Sequence, residues 1–202
     1  MDRTNDMRKV RSRQYLIDAI LELMQTKDFE SISVNEIVKK ARVSRSTFYF
    51  QFEDKYYFIN QIIENVLDDL RAETRPSKQS EKGLEWESHN YYIRHFEYIF
   101  EHASFFKTMF GQHGPTVFHQ KFEESAYVTY QDIFLQSQTH AIDRSMDYFI
   151  QYIISAHIGI TTKWIKDGMQ ETPIFMAELL TNMTFRGLLR GLEMDQQVVL
   201  PQ

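Results

Sequence analysis

Lys39, Lys40, Arg42 and Arg45 fall within one seven-residue window, and the string that follows, RSTFYFQF from Arg45 to Phe52, interleaves hydroxyls with more aromatics than a small core needs. A guanidinium can donate two parallel hydrogen bonds to guanine, an exposed ring can pack on a thymine methyl, and hydroxyls, amides and ammonium groups grip phosphate at any sequence. The chemistry these residue types could do is therefore recognition of a nucleic acid. Other chemistries lack their residues. With no Cys, thiol catalysis, iron–sulfur clusters and Cys-ligated zinc are excluded. The seven His show no metal-ligand spacing, since His89 and His95 stand six apart. Glu123-Glu124 and Asp68-Asp69 are sequence neighbours and so not on one face. No Gly-rich phosphate loop, nucleophile elbow or catalytic triad appears. We expect no catalytic residue, no metal and no cofactor.

The elements that must position this string are short helices. Ile17, Ile20, Leu21 and Met24 recur at i, i+3, i+4 and i+7, which predicts a first helix from about Lys9 to Lys27. Ser33-Val34-Asn35-Glu36 reads as a capping box, and Val34, Ile37, Val38 and Ala41 repeat the same spacing over about two turns. After a break at Arg42-Val43-Ser44, Ser44 can cap a third helix over about Arg45 to Phe52. Phe48 and Phe52, four apart, share one face and are assigned to the core, so Arg45, Thr47, Tyr49 and Phe50 must largely point elsewhere. A fourth helix, starting near Glu53 or Asp54, runs to about Ala72. The polar stretch Arg75 to Gly83 reads as a loop. Further helices are expected at about Leu84 to His102, Ser104 to Phe110, Pro115 to Thr139, Asp143 to Lys166 and Pro173 to Leu192. Gly168 suits a left-handed helix end and Pro173 a first turn. Period-two alternation is weak throughout, and no internal repeat or low-complexity segment is present.

The chain has 202 residues, enough for one large domain or two small ones, and its seven Gly and four Pro are too few for a barrel or sandwich. Its formal charge of −5 would argue against nucleic acid if spread evenly. It is not spread evenly. Residues 1–55 carry 11 Lys and Arg against 9 Asp and Glu, whereas residues 56–202 carry 12 against 19. The positive charge of the first part is clumped, at Arg8, Lys9, Arg11 and Arg13 and again at Lys39 to Arg45. We expect a basic module, residues 1–55, on an acidic body, residues 56–202. No 18-residue apolar stretch exists, and the N-terminus lacks the apolar segment of a secretory signal, so a cytoplasmic location and no membrane contact are expected.

Two short helices joined by a three-residue break, the second rich in exposed hydrogen-bonders, describe a helix-turn-helix. The string SVNEIVKKARVSRSTFYFQFEDKYYFINQI closely resembles the N-terminal DNA-binding domain of the TetR family of bacterial transcriptional regulators, of the TetR/AcrR type. Ser33, Ile37, Ala41, Val43, Ser44, Thr47, Phe48, Tyr49, Phe52 and Lys55 stand in register, and the resemblance covers about residues 9–60. Arg42 departs from it, occupying a turn position where the family usually has Gly; a non-Gly residue held at positive φ costs about 1 kcal/mol. The segment from Ser155, SAHIGITTKWIKDGMQETPIFMAELL, is similar to the C-terminal half of a Firmicutes-type subgroup.

The resemblance implies an all-α chain, with a three-helix DNA-binding head joined by a long helix to a helical effector-binding and dimerisation body. It implies base contacts from Arg45, Ser46 and Phe50, each with a plainer reading as a surface or core side chain. Phosphate contacts are expected from Ser33, Thr47, Tyr49, Gln51, Lys55, Arg11 and Arg13, with Ser33 alternatively no more than a cap. It places a homodimer interface on the last two helices, where Met146, Phe149, Ile150, Ile153, His157, Thr161 and Trp164, then Met176, Leu180, Met183 and Gly187, form broad stripes; the plainer reading is an ordinary core. Residues 84–164 hold 18 of the 29 aromatics. Tyr91, Phe106, Phe110, Phe122, Tyr127, Tyr130 and Phe134 could wall a cavity for a small hydrophobic or aromatic effector, or simply pack. The implied function is that of a DNA-binding transcriptional regulator and not an enzyme: a repressor that binds a palindromic operator as a homodimer and is released by an effector. A regulator switched by a protein partner or without an effector, and a helical enzyme with a vestigial head, are the alternatives.

Overall fold

Local signals place the helix ends. In the computed structural model, which describes residues 3–75, 84–136 and 144–187 and the side chains of 7–75, 88–132, 148 and 150–187, the Ser33 hydroxyl accepts from the Glu36 N–H at 3.3 Å while the Glu36 carboxylate accepts from the Ser33 N–H at 2.9 Å. This reciprocal pair starts α2, Val34–Ala41. Arg42 ends it at φ 55°, ψ 38°, the left-handed conformation for which the turn usually needs Gly. Ser44 then accepts from the Thr47 N–H at 3.0 Å and opens α3, Arg45–Tyr49. A 3-10 turn at Phe29–Ser31, not anticipated from the sequence, leads from α1, Arg3–Leu23, toward α2.

The remaining helices are α4, Lys55–Thr74; α5, Leu84–Glu101; α6, Ala103–Met109; α7, Val117–Gln136; α8, Arg144–Lys166; and α9, Pro173–Arg186. The protein is all-α, with no strand among the described residues. Gly168, at φ 89°, terminates α8 as expected, and Thr172 caps α9 with Pro173 in its first turn. The last helix is shorter than its hydrophobic pattern suggested. Gly187, at φ 79°, caps α9 from outside the helix, and residues from 188 on lie outside the described residues.

Contacts divide the chain into two compact units. Unit 1 comprises Met1–Leu67 and Ser104–Lys121, so it extends beyond the head read from the sequence and takes in α6 and the first turn of α7. Its core holds Leu16, Ile20, Met24, Ile37, Phe48, Phe52 and Phe58, and also Phe105, Phe106, Phe110 and Phe118. The main-chain N–H of Phe29 donates to the His113 carbonyl at 3.0 Å, and Lys121 pairs with Glu64 at 2.7 Å.

Unit 2 comprises Asp68–Ala103 and Phe122–Gln202. Here α5 packs along α9, tied by His89 to Thr181 at 2.8 Å and by Tyr92 to Thr184 at 3.3 Å. The Phe96 ring meets Trp164 edge-on at 5.2 Å, and the Trp164 indole N–H donates to the Glu171 carbonyl at 3.0 Å. No described helix is long and apolar enough to cross a membrane.

Candidate nucleic-acid interface

Five residues make α3, and one of them anchors it. Phe48 is fully buried, with the Phe52 and Phe58 rings each 5.5 Å away. Arg45, Ser46, Tyr49 and Phe50 face outward, and Phe50 is 81% exposed. An exposed phenylalanine beside a guanidinium is an apolar contact surface next to a bidentate donor. The Arg45 guanidinium lies 5.7 Å from the Tyr49 ring centroid, which holds the cation over an aromatic face. The Ser46 and Thr47 hydroxyls stand 2.7 and 2.8 Å from the Ser44 hydroxyl, a cluster at the N-terminus of the helix. Thr47 is half-buried.

Other expected phosphate contacts are occupied inside the head. The Lys55 ammonium donates to the carbonyls of Phe29, Glu30 and Ile32 at 3.0, 2.7 and 2.9 Å. An ammonium has three donors, and these three bonds use them all. Lys55 thus clamps the 3-10 turn to α4, where a grip on phosphate had been expected. Gln51 donates to the Ser12 hydroxyl at 3.0 Å and to the Thr47 carbonyl at 3.3 Å, joining α1 to α3. Ser33 is engaged as the cap of α2. Glu36 also receives the Lys27 ammonium at 2.6 Å, and hydrogen bonds from Lys27 and then Ser33 lower its pKa to about 2. On α1, Arg11 is exposed, whereas Arg13 is half-buried with its guanidinium 5.4 Å from the Phe52 ring.

The body departs further from expectation. Ile150, Ile153, His157, Thr161, Trp164, Met176 and Leu180, read as partner-facing, are buried by this chain's own residues. Their helices carry apolar side chains on more than one face, so periodicity alone could not separate the inward face from the other. Met183 is half-buried, Gly187 lies beyond the helix, and the side chains of Met146 and Phe149 lie outside the described residues. What α8 leaves open is a different stripe, Tyr148, Tyr152, Ser155 and Gly159, spaced four, three and four apart, while Ile174 and Phe175 stand exposed on α9. A Cβ built on Gly159 would meet nothing within 4 Å in this chain. The spacing of Tyr148, Tyr152 and Gly159 was visible in the sequence, but not that it marks an uncovered face.

The expected effector wall divides between the units. Phe106 and Phe110 belong to unit 1, packed around Phe118, whose ring is 4.9 Å from that of Phe110. Tyr91, Phe122 and Tyr130 line a cavity in unit 2 of about 10 Å³, and a second cavity of the same size lies against Tyr91, His95 and Phe122. Each holds about one water. Tyr127 lines neither, and the Phe134 side chain lies outside the described residues. Beside the Tyr130 cavity, His157 bonds to the Tyr130 hydroxyl on one side and to the Thr184 hydroxyl at 3.1 Å on the other. Burial lowers its pKa to about 3 and that of His95 to about 4, so both rings are neutral at pH 7. The described residues contain no group of three His, Asp or Glu able to hold a metal ion.

The short, singly anchored α3 behind a capped α2 and a left-handed turn defines a helix-turn-helix DNA-binding protein. Residues 16–62 match the family described as bacterial regulatory proteins, tetR family, and residues 86–186 match the family described as transcriptional regulator C-terminal region. The chain belongs to the TetR family, a family of transcription factors rather than enzymes. It is 29% identical over 158 residues, 77% of its length, to an uncharacterized HTH-type transcriptional regulator, YxbF, of Bacillus subtilis strain 168, and spans 40% of that relative's length. A TetR transcriptional regulator from Streptococcus agalactiae shares the fold, with a TM-score of 0.65 at 17% identity over 90% of this chain and 97% of that one. So does the regulator FadR from Bacillus subtilis, solved with stearoyl-CoA, with a TM-score of 0.54 at 16% identity over 87% and 98% of the two chains.

Proposed function

We propose that this chain is a cytoplasmic, homodimeric repressor whose paired heads read a palindromic operator and whose body releases them when it binds an effector. The observation that carries the reading is α3, where only Phe48 is buried, so that Arg45, Ser46 and Tyr49, with the C-cap Phe50, remain exposed to meet DNA. In this reading Arg45 donates to a guanine edge, Phe50 packs on a thymine methyl, and Ser46 adds a weaker base contact. Thr47, Tyr49 and Arg11 hold phosphates, with Arg13 and Ser33 at the edge of the contact; Lys55 and Gln51 hold the head in shape. The head is residues 1–55 and the sensor and dimer body residues 56–202.

A single head makes few base contacts, and two-fold repetition multiplies them. We assign the partner-facing surface to Tyr148, Tyr152, Ser155 and Gly159 of α8 with Ile174 and Phe175 of α9. Gly in an exposed helix interior costs about 1 kcal/mol relative to Ala, and a second backbone passing close would account for it. The effector acts by binding the form whose heads do not fit DNA more tightly than the form that does.

The closed cavities favour a second reading, in which a protein partner and not a small molecule shifts this balance. Selection of bound fragments from a random DNA pool, followed by sedimentation of the complex, tests the proposal. A palindromic consensus bound by two chains is expected. Sequence-independent binding by a single chain sinks it, and a reporter gene silenced through that consensus separates repressor from activator.

A further inference from the structure

Five Lys and Arg stand from Ser33 to Lys55, and a head that grips duplex DNA must set positive charge against its phosphates. The structure withdraws two of them. Lys40 is paired with Glu22 of α1, and Lys55 spends its three donors on the carbonyls of Phe29, Glu30 and Ile32. Arg45 lies beside the Tyr49 ring at the start of α3, where it is assigned to a base. Lys39 and Arg42 remain, both exposed and neither with a side-chain hydrogen bond or ion pair among the described residues.

These two are not equivalent. Lys39 sits in regular helix, where an exposed lysine is a good helix former and needs no further account. Arg42 is held at φ 55°, ψ 38° by the end of α2: its N–H donates to the Lys39 carbonyl at 3.3 Å, and the Val43 N–H donates to the Val38 carbonyl at 3.0 Å. Gly takes this left-handed conformation freely, whereas a residue with a side chain is strained in it. No side-chain hydrogen bond or ion pair of Arg42 among the described residues offsets that strain. A strained backbone under an exposed, unpaired cation points to a contact outside the chain. Arg42 lies in the turn between the helix that crosses a DNA backbone and the helix that enters the groove, two residues before the Ser44 cap. Ser44, Arg45 and Ser46 are exposed beyond it, and a guanidinium can pair with phosphate through two parallel hydrogen bonds.

We propose that Arg42 is the phosphate anchor of the helix-turn-helix, in the role that its internal bonds deny to Lys55. The left-handed backbone at Arg42 costs the free head stability, and the phosphate contact offsets this only when DNA is bound. The inference rests on the reading of the chain as a DNA-binding protein.

The full-length protein and its variants Arg42→Gly, Arg42→Lys and Lys40→Gln are titrated over a range of salt with a duplex carrying the selected operator and with a random-sequence duplex. Arg42→Gly should bind both duplexes about tenfold more weakly and lower the salt slope by about one per head, because a phosphate contact carries no sequence preference. It should also raise the melting temperature of the free protein by about 2–4 °C, because Gly relieves the strain. Arg42→Lys should keep the slope without the gain in stability, and Lys40→Gln should leave the slope unchanged. A side chain of purely structural value would instead lower the melting temperature when removed and spare the slope. The proposal is wrong if Arg42→Gly keeps the wild-type slope, if it weakens the operator alone, or if Lys40→Gln lowers the slope as much. A wild-type chain that binds neither duplex would sink the DNA-binding reading itself.

Discussion

Helix α3 and the interior of the body are both rich in aromatic residues and use them in opposite ways. On α3, Phe48 alone is buried, while Tyr49 is 48% exposed and Phe50, which caps the helix, 81%. In the body, Tyr91, Tyr92, Phe96 and Tyr130 are all buried, and burial pushes the Tyr91 and Tyr92 hydroxyls far above the usual tyrosine range. A five-residue helix has too little length for two buried stripes, so one anchor sets its position and the other side chains stay available. A long helix between neighbours is covered on most faces, and its aromatics become core. Aromatic content therefore says little about a site until exposure is known.

Acid should separate the two regions most strongly. At neutral pH His95 and His157 are uncharged, as in the folded state. As pH falls below about 6.5, their ordinary value, the unfolded chain takes up protons that the folded rings refuse until about 4 and about 3, so body stability declines across that window. In the head, Glu36 contributes stability above pH 4.5, and this is lost only as pH falls from there toward 2. Both tryptophans, Trp86 and Trp164, fall in the residue range of unit 2. Their fluorescence should shift at higher pH than the far-ultraviolet helix signal collapses, and coincident transitions would show that the two regions do not differ.

Phe48→Ala should destabilise the head by about 4 kcal/mol, measured by urea unfolding, because α3 has no second anchor. A loss under about 1 kcal/mol would mean the helix is held by something else. Lys55→Met should lower stability by about 2 kcal/mol through three lost carbonyl bonds while leaving the salt slope of operator binding unchanged. A slope reduced by about one would return Lys55 to the phosphates.

Arg45→Ala should weaken the selected operator by about 1–3 kcal/mol and relax preference at one base pair. Unchanged selectivity would remove Arg45 from base reading. The smallest effect concerns α8. Gly159→Ala should raise helix propensity by about 1 kcal/mol yet weaken the dimer, read by sedimentation at low concentration. A tighter or unchanged dimer would mean that nothing approaches this glycine.

Much of the head was legible because its signals are local. The Ser33–Glu36 box, the Ser44 cap and the left-handed Arg42 each involve residues three or fewer apart or a single backbone angle. The assignment of Phe48 and Phe52 to the core followed from their four-residue spacing. The bonds of Lys55 within the head were not legible, because its three acceptors lie 23 to 26 residues away. A lysine beside a recognition helix reads the same whether it grips phosphate or its own chain.

By itself the sequence determined the helical class, most helix ends, the helix-turn-helix and the split between a basic start and an acidic remainder. These follow from capping, periodicity and composition, which operate over a few residues or over none in particular. Only the tertiary structure decided which face of α8 is inward, which unit Phe106 and Phe110 join, and that His95 and His157 are buried. Burial is a property of what covers a residue, and the covering residues come from helices that no local pattern names.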